Sequence, residues 1–169
     1  MPAANPGSGF TIMPGFIGMG TDRAIQNVGG AAYIMKAAAA LNVGDAVYIS
    51  AADTVDKGAT AQLGQRGGVV VGGQRTGFRT QPEVKTGAAA ANAAGELVLV
   101  AFQNAVVTAV SDAAIAVGNP ISFAGTAGRV IAAAAGAALN AGVRNNILGT
   151  ALSATGGAAV DVRVLIGAS

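Results

Sequence analysis

The chain has 169 residues, contains no His, no Cys and no Trp, and carries charge on only 11% of its residues. It therefore lacks the commonest general acid–base side chain, the commonest thiol nucleophile and the main zinc ligands. The net charge is +2 and the cationic side chains are scattered, whereas nucleic-acid binding requires a dense cationic stripe. This composition disfavours enzymes, metalloproteins and nucleic-acid binders, and we expect no catalytic residue, no cofactor, no metal site and no small-molecule substrate.

The hydrophobic fraction of 52% is rich in Ala, and the 26 Gly residues add almost no side-chain area. Aromatic residues make up only 4% of the chain. Because burial stabilises a fold by roughly 25 cal/mol per Å² of apolar surface, a monomer with so few large apolar side chains has a thin core. The composition therefore favours an oligomer.

Residues 1–29 differ from the rest of the chain, since they combine Pro and Gly with a concentration of large apolar side chains: Phe10, Ile12, Met13, Phe16, Ile17 and Met19. Two interpretations are open. The segment is either a strap that covers the remaining domain or an arm that docks on a partner and orders on binding. It has neither the basic start nor the apolar stretch of a secretory signal, and no run approaches the roughly 20 apolar residues of a membrane span. We expect a protein made in a cytoplasm, without a membrane partner.

An internal repeat organises the remaining β domain, residues 30–169. Residues 31–50 align with 105–124 without a gap, so that Val47 and Ile49 fall on Ile121 and Phe123. A looser similarity continues to the C-terminus, where Gly67 falls on Asn146. The pattern predicts two similar β-units, at about 31–102 and 105–166, the first lengthened by a loop at 73–94.

Strand patterns dominate both units. A Gly-Asp turn introduces a strand at 46–49, the large apolar residues of 96–102 indicate a strand buried on both faces, and 160–165 alternates as a half-exposed strand does. The segment 105–110 follows Gln103-Asn104 and is compatible with a hairpin partner of 96–102. The Ala runs permit at most a short helical turn, at 37–41 or 112–116. The sequence therefore predicts an all-β fold.

The motifs that resemble chemical sites are weak. Gly15, Gly18 and Gly20 lack the spacing of a dinucleotide motif, and no P-loop occurs. Asp53 and Asp56 are too few for a calcium loop and are interpreted as a polar turn. Asp45 and Asn119 are interpreted as turn formers. The arginines at 66, 75 and 79 are interpreted as solvated loop charges.

The repeated turn-and-strand unit, Leu41 to Val47 and again Ile115 to Ile121, resembles the small capsid decoration or cement proteins of tailed bacteriophages, especially those with an Ala/Gly-rich "aGd-V" pattern. The resemblance extends over about 31–166. It implies a β-barrel or β-tulip protein that forms a homotrimer at local three-fold positions on the outer surface of the capsid. Such a protein binds the major capsid protein after expansion and reinforces the shell, and the family has no catalytic residues.

In some such proteins an N-terminal arm contacts the shell, which would assign capsid contact to Phe10, Ile12, Met13, Phe16 and Ile17. Other interpretations remain open. One is a different virion component, such as a tail, fibre-base or minor coat protein. Another is a module that binds carbohydrate or a host surface, which requires exposed aromatic residues. A third is a hydrolase that uses carboxylates.

Overall fold

The computed structural model describes residues 27–63, 65–74, 91–133 and 147–167, and the backbone alone of 27–31. Within these ranges the chain is all-β, as predicted, and its only helical element is a 3-10 turn at Thr60–Gln62. The strands are β1 (Asn27–Ala37), β2 (Ala46–Ala51), β3 (Thr54–Lys57), β4 (Gly67–Gly73), β5 (Leu97–Val110), β6 (Pro120–Phe123), β7 (Val130–Ala132), β8 (Gly149–Ala151) and β9 (Asp161–Ile166). β9 alternates as predicted, with Val162 and Val164 buried and Asp161 and Arg163 exposed.

The described strands form one sheet in the order β1-β3-β2-β4-β5-β9-β8-β6-β7. Because β1 also pairs with β5, strands β1 to β4 and residues 97–102 of β5 close into a ring, named here the first ring. The strands from residues 105–110 of β5 through β9 to β7 form the second ring, closed by a parallel bridge between Ser111 and Val130. The all-β class is confirmed, while the barrel or tulip description stays a prediction.

The two rings repeat the same pairings. A parallel contact joins Ala37 to Val55 in the first ring, as one joins Ser111 to Val130 in the second. The antiparallel pairs β2–β3 and β2–β4 correspond to β6–β7 and β6–β8. The pair β4–β5, which uses residues 97–102 of β5, corresponds to β8–β9. The pair β1–β5 corresponds to the pair of β9 with residues 105–110 of β5. Each strand of the first ring thus has a counterpart in the second.

The turn that introduces β2 recurs before β6 in atomic detail. Gly44 and Gly118 have φ of 93° and 82°, a left-handed conformation that suits glycine. The Asp45 Oδ2 atom accepts a hydrogen bond from the Asn42 N–H at 2.8 Å. The Asn119 Oδ1 atom accepts the equivalent bond, from residue 116, at 3.0 Å. The interpretation of Asp45 and Asn119 as turn formers is confirmed.

The strand register corrects the looser part of the repeat. Gly68 pairs with Val47 as Gly149 pairs with Ile121, so the counterpart of Gly67 is Leu148 and not Asn146. β1 begins at Asn27, inside the segment assigned to the arm. The division into an arm at 1–29 and a β domain at 30–169 with units at 31–102 and 105–166 stays a prediction.

The hairpin expected at Gln103-Asn104 is wrong, because residues 97–110 form one continuous strand. Asn104 has φ of 51°, and Gln103 pairs with Ala31 at a register shift of β1. The polar pair therefore marks a bend that leads β5 from the first ring into the second. No helical turn forms at 37–41 or 112–116.

Two clusters of buried side chains fill the sheet. One fills the first ring and consists of Met35, Ala37, Leu41, Val47, Val55, Val70, Val98, Val100 and Phe102. The other combines the side chains inside the second ring with Ala46, Val69, Val71, Leu99 and Ala101 from the outer face of the first. The two rings are therefore packed against each other and share a core.

Candidate interaction surface

The first ring is open at the end where β2 turns into β3. A cleft of about 700 Å³ lies there, named here the mouth, and it is lined by Tyr33, Met35, Ile49, Ala51, Ala52, Asp53, Arg66, Phe102 and Gln103. The strands β1, β2 and β5 contribute side chains from within their length, while Asp53 and Arg66 immediately precede β3 and β4. All strands of the ring thus meet at this cleft.

The floor of the mouth is apolar and its walls remain accessible. Met35 and Phe102 are buried, whereas Tyr33 is 49% exposed and Ile49 is 41% exposed. The rings of Tyr33 and Phe102 lie 6.1 Å apart between centroids, at an interplanar angle of 58°. Tilted aromatic pairs at such distances are attractive beyond the area they bury, so the Tyr33 ring is held beside an accessible apolar surface.

Two opposite charges stand on the rim of the mouth. The Ile49 N–H donates to the Arg66 carbonyl oxygen at 3.4 Å, so Arg66 lies beside Ile49 on the β4 side, whereas Asp53 lies beyond the end of β2, at the turn into β3. The Arg66 Nη2 atom donates a hydrogen bond of 2.7 Å to Gln103 Oε1. Asp53 has φ of 51°, which places it at the tight turn between β2 and β3. An apolar centre with a charged rim is the ordinary composition of a protein–protein contact surface.

The corresponding end of the second ring is closed. The counterparts of Tyr33 and Ile49 are Val107 and Phe123, and they are only 0% and 2% exposed. Phe123 is covered by Gly58 and Gly67 on the outer face of the first ring, where a Cβ atom would collide with its aromatic ring. The molecule thus has two equivalent ends, one buried within the chain and one accessible.

An ion pair stabilises the turn between β6 and β7. Arg129 Nη1 lies 3.3 Å from Asp112 Oδ1, and the backbone N–H of Thr126 donates to Asp112 Oδ2 at 3.4 Å. Hydrogen bonding to Thr126, with a smaller contribution from Arg129, lowers the pKa of the Asp112 carboxyl from its ordinary 3.8. In the first ring, Lys57 Nζ lies 3.5 Å from Asp45 Oδ2. These pairs belong to turns and do not contribute to the mouth.

The capsid-contact residues predicted from the sequence, Phe10, Ile12, Met13, Phe16 and Ile17, lie outside the described residues, and so do Arg75 and Arg79. Asp56 Oδ1 accepts a hydrogen bond from the N–H of Lys57, whereas Asp53 lines the mouth. In the part of the chain that the structure describes, no group of three or more Asp, Glu, His or Cys could hold a metal ion. No helix in these ranges is long and apolar enough to cross a membrane.

The mouth was not predicted from the sequence, although the two repeat units differ at the positions that form it. The repeat aligned Ile49 with Phe123, and Tyr33 with Val107, so the first unit carries the more polar of the two ends. Arg66 has a large apolar counterpart, Ile147, two residues before Gly149. A charge at residue 66, where the second unit carries an apolar residue, indicates that this end of the first ring remains at the surface. Which of the two ends is covered depends on how the rings pack, and repeat alignment does not contain that information.

The sequence matches no protein-family model and no curated protein. Among solved structures, the chain is similar to the N base of the head fiber gp8.5 of bacteriophage phi29. The identity is 13%, the alignment covers 81% of this chain and 93% of that chain, and the TM-score is 0.45. A TM-score below 0.5 does not establish a common fold.

Proposed function

We propose that the protein is a non-enzymatic structural component of a phage virion, which binds the outer surface of the capsid as an oligomer and stabilises the shell. The observation that carries the proposal is the mouth, an accessible apolar cleft with a charged rim at the end of a closed sheet. Its lining residues offer contact area and shape, and they include none of the thiols or imidazoles on which most nucleophilic and acid–base catalysis depends.

The physical demands on a shell-binding protein agree with this composition. Such a protein holds neighbouring subunits together through area and shape complementarity, and several weak contacts engaged at once reach a high combined affinity. Gly58 and Gly67 let the two rings approach closely, and a charge of +2 produces little long-range repulsion between copies. The homotrimeric state and the contact with the major capsid protein are predictions of the family resemblance.

A second candidate function has one observation in its favour. A module that binds carbohydrate or another host-surface ligand requires an exposed aromatic side chain, and Tyr33 provides one on the wall of the mouth. In this alternative the Tyr33 ring stacks on an apolar ligand face while Arg66, Asp53 and Gln103 supply polar contacts. A tail, fibre-base or minor coat protein would be a structural component of the same kind with a different protein partner.

Co-sedimentation with phage capsids tests the proposal. The purified full-length chain is mixed with expanded and with unexpanded capsids of a candidate tailed phage, and the pelleted fraction and the heat resistance of the shells are measured. Saturable binding to expanded capsids, with a higher temperature of shell disruption, is the expected result. Binding to a glycan array through Tyr33, without capsid binding, would establish the second candidate function instead.

A further inference from the structure

We propose that the mouth is the surface through which copies of this chain contact one another. In this contact Ile49 of one copy packs against Ile49 of the next, and Arg66 of each copy pairs with Asp53 of its neighbour. The inference rests on the self-association in the proposed function. The contact joins copies in pairs, and it is distinct from the homotrimer contact that the family resemblance implies.

The first argument is the arrangement of charge. Arg66 lies beside Ile49 on the β4 side of β2, and Asp53 lies at the turn into β3, on the other side of β2. A two-fold rotation about an axis that passes between Arg66 and Asp53 therefore brings the cation of one copy towards the anion of the other. The same rotation brings the anion of the first copy towards the cation of the second. A surface with this arrangement is complementary to itself, as a symmetric contact between identical chains requires.

The second argument concerns the equivalent end of the second ring, which is buried within the same chain. In the second ring, Phe123 occupies the position of Ile49 and is buried against a sheet face. That contact already lies within the molecule, and it demonstrates that this end of a ring is a surface that another β-element covers. In the first ring, by contrast, Tyr33 and Ile49 remain accessible.

The third argument concerns which part of a second copy can cover the mouth. Phe123 approaches the first ring because residues 58 and 67 are both Gly. On the second ring the corresponding positions carry Ala133 and Leu148, as the pairings of β6 with β7 and β8 determine. At these two described positions the outer face of the second ring therefore lacks the gap that admits a large side chain. The mouth of another copy is thus a better match than a head-to-tail repetition of the internal contact.

The size of the mouth indicates the strength of the contact. Nine of the described residues line it, fewer than the roughly 20–30 per partner in a standard stable interface. The mouth alone therefore supports an association that depends on protein concentration. Binding to a shell would raise the local concentration and strengthen the same contact.

A charge-exchange experiment tests the proposal. The molar mass of the full-length chain is measured by light scattering across a range of concentrations, for the wild type, Arg66→Asp, Asp53→Lys and an equimolar mixture of the two variants. We expect the wild type to associate. Each variant alone should associate roughly tenfold or more weakly, because like charges then face each other. The mixture should regain association, because both ion pairs re-form between unlike copies.

Control variants separate this contact from other surfaces. Ile49→Asp should also prevent association, whereas Val117→Asp, at a position 64% exposed elsewhere on the surface, should not. Thermal unfolding of each variant, measured under monomeric conditions, verifies that the fold is retained. The proposal is overturned if the wild type remains monomeric at every concentration, if the charge variants associate as the wild type does, or if their mixture regains nothing. Capsid binding, measured separately, then decides the proposed function on its own.

Discussion

The aromatic ring of Phe123 lies directly over Gly58, so that three of its carbon atoms occupy the space in which a side chain at residue 58 would begin. Gly67 contacts the same ring, and a Cβ there would lie 2.6 Å from Phe123 Cζ. The two rings of the sheet therefore meet through a gap that only glycine leaves open. The packing between the rings therefore requires the absence of a side chain at residues 58 and 67 as well as the presence of Phe123.

Replacing Gly58 by Ala should destabilise the protein by about 1–3 kcal/mol, the usual cost of overpacking a well-filled core. The collision is with the buried aromatic ring of Phe123, which lies between the two rings of the sheet. The free energy of unfolding from urea denaturation measures the effect. Gly125→Ala is the matched control, since no atom lies within 4 Å of a Cβ there. An equal loss in both variants would contradict the proposed collision.

Truncation of Phe123 and truncation of its counterpart Ile49 should lower the free energy of unfolding by very different amounts. Phe123→Ala removes a side chain that is 2% exposed, and such a change typically costs about 3–5 kcal/mol. Ile49→Ala removes its counterpart, which is 41% exposed, and should cost less than about 1.5 kcal/mol in the monomer. Urea unfolding at low protein concentration checks both values. Similar costs would mean that the mouth is covered within the monomer.

Neutralising Asp112 should lower stability at neutral pH but not in acid. The pKa of Asp112 is lower in the folded protein than its ordinary 3.8, so the folded state favours the ionised carboxylate. The stabilisation is therefore complete well above pH 3.8 and is lost as the pH falls through the folded pKa. Thermal unfolding of the wild type and Asp112→Asn, compared between neutral pH and strongly acidic pH, should give melting temperatures that converge. A difference that stays constant with pH would contradict the assignment.

A substitution at Gly118 measures the loss of stability that comes from backbone conformation separately from the loss that comes from steric crowding. Its φ is 82° and no atom lies within 4 Å of a Cβ at this position. Gly118→Ala should therefore cost about 1–2 kcal/mol from the left-handed conformation alone. Gly156→Ala has equally open surroundings without a positive φ, and it should be close to neutral. Calorimetric melting of both variants tests the distinction.

The features that sequence analysis predicted correctly are local. The turns at Asp45 and Asn119 depend on neighbouring residues, a left-handed Gly and a short side chain that accepts a backbone N–H. Strand β9 was predictable because a half-buried strand alternates with a period of two residues. The correspondence between the two units is correct where their sequences align without a gap. The correspondence is wrong by two residues at Leu148, because the segments that connect the strands differ in length between the two units.

The features that sequence analysis missed depend on distant contacts. Gln103 and Asn104 resemble a hairpin turn, yet β1 pairs across them and keeps β5 continuous. The accessible mouth exists because Gly58 and Gly67 cover Phe123 while nothing in the described chain covers Ile49. No local pattern distinguishes a side chain that another ring will cover from one that remains at the surface.

The continuity of β5 has a consequence for how such a molecule can change over evolutionary time. Fused copies of a module can normally be shuffled, lost or regained, because the junction between them is a linker. Here the junction runs through the middle of a 14-residue strand, which supplies the last member of one ring and the first of the other. A cut at Asn104 would leave each ring its own half of β5, but it would divide the strand with which β1 pairs on both sides of the junction. The two halves are therefore inherited together, and any specialisation of one end must be compatible with the folding of the other.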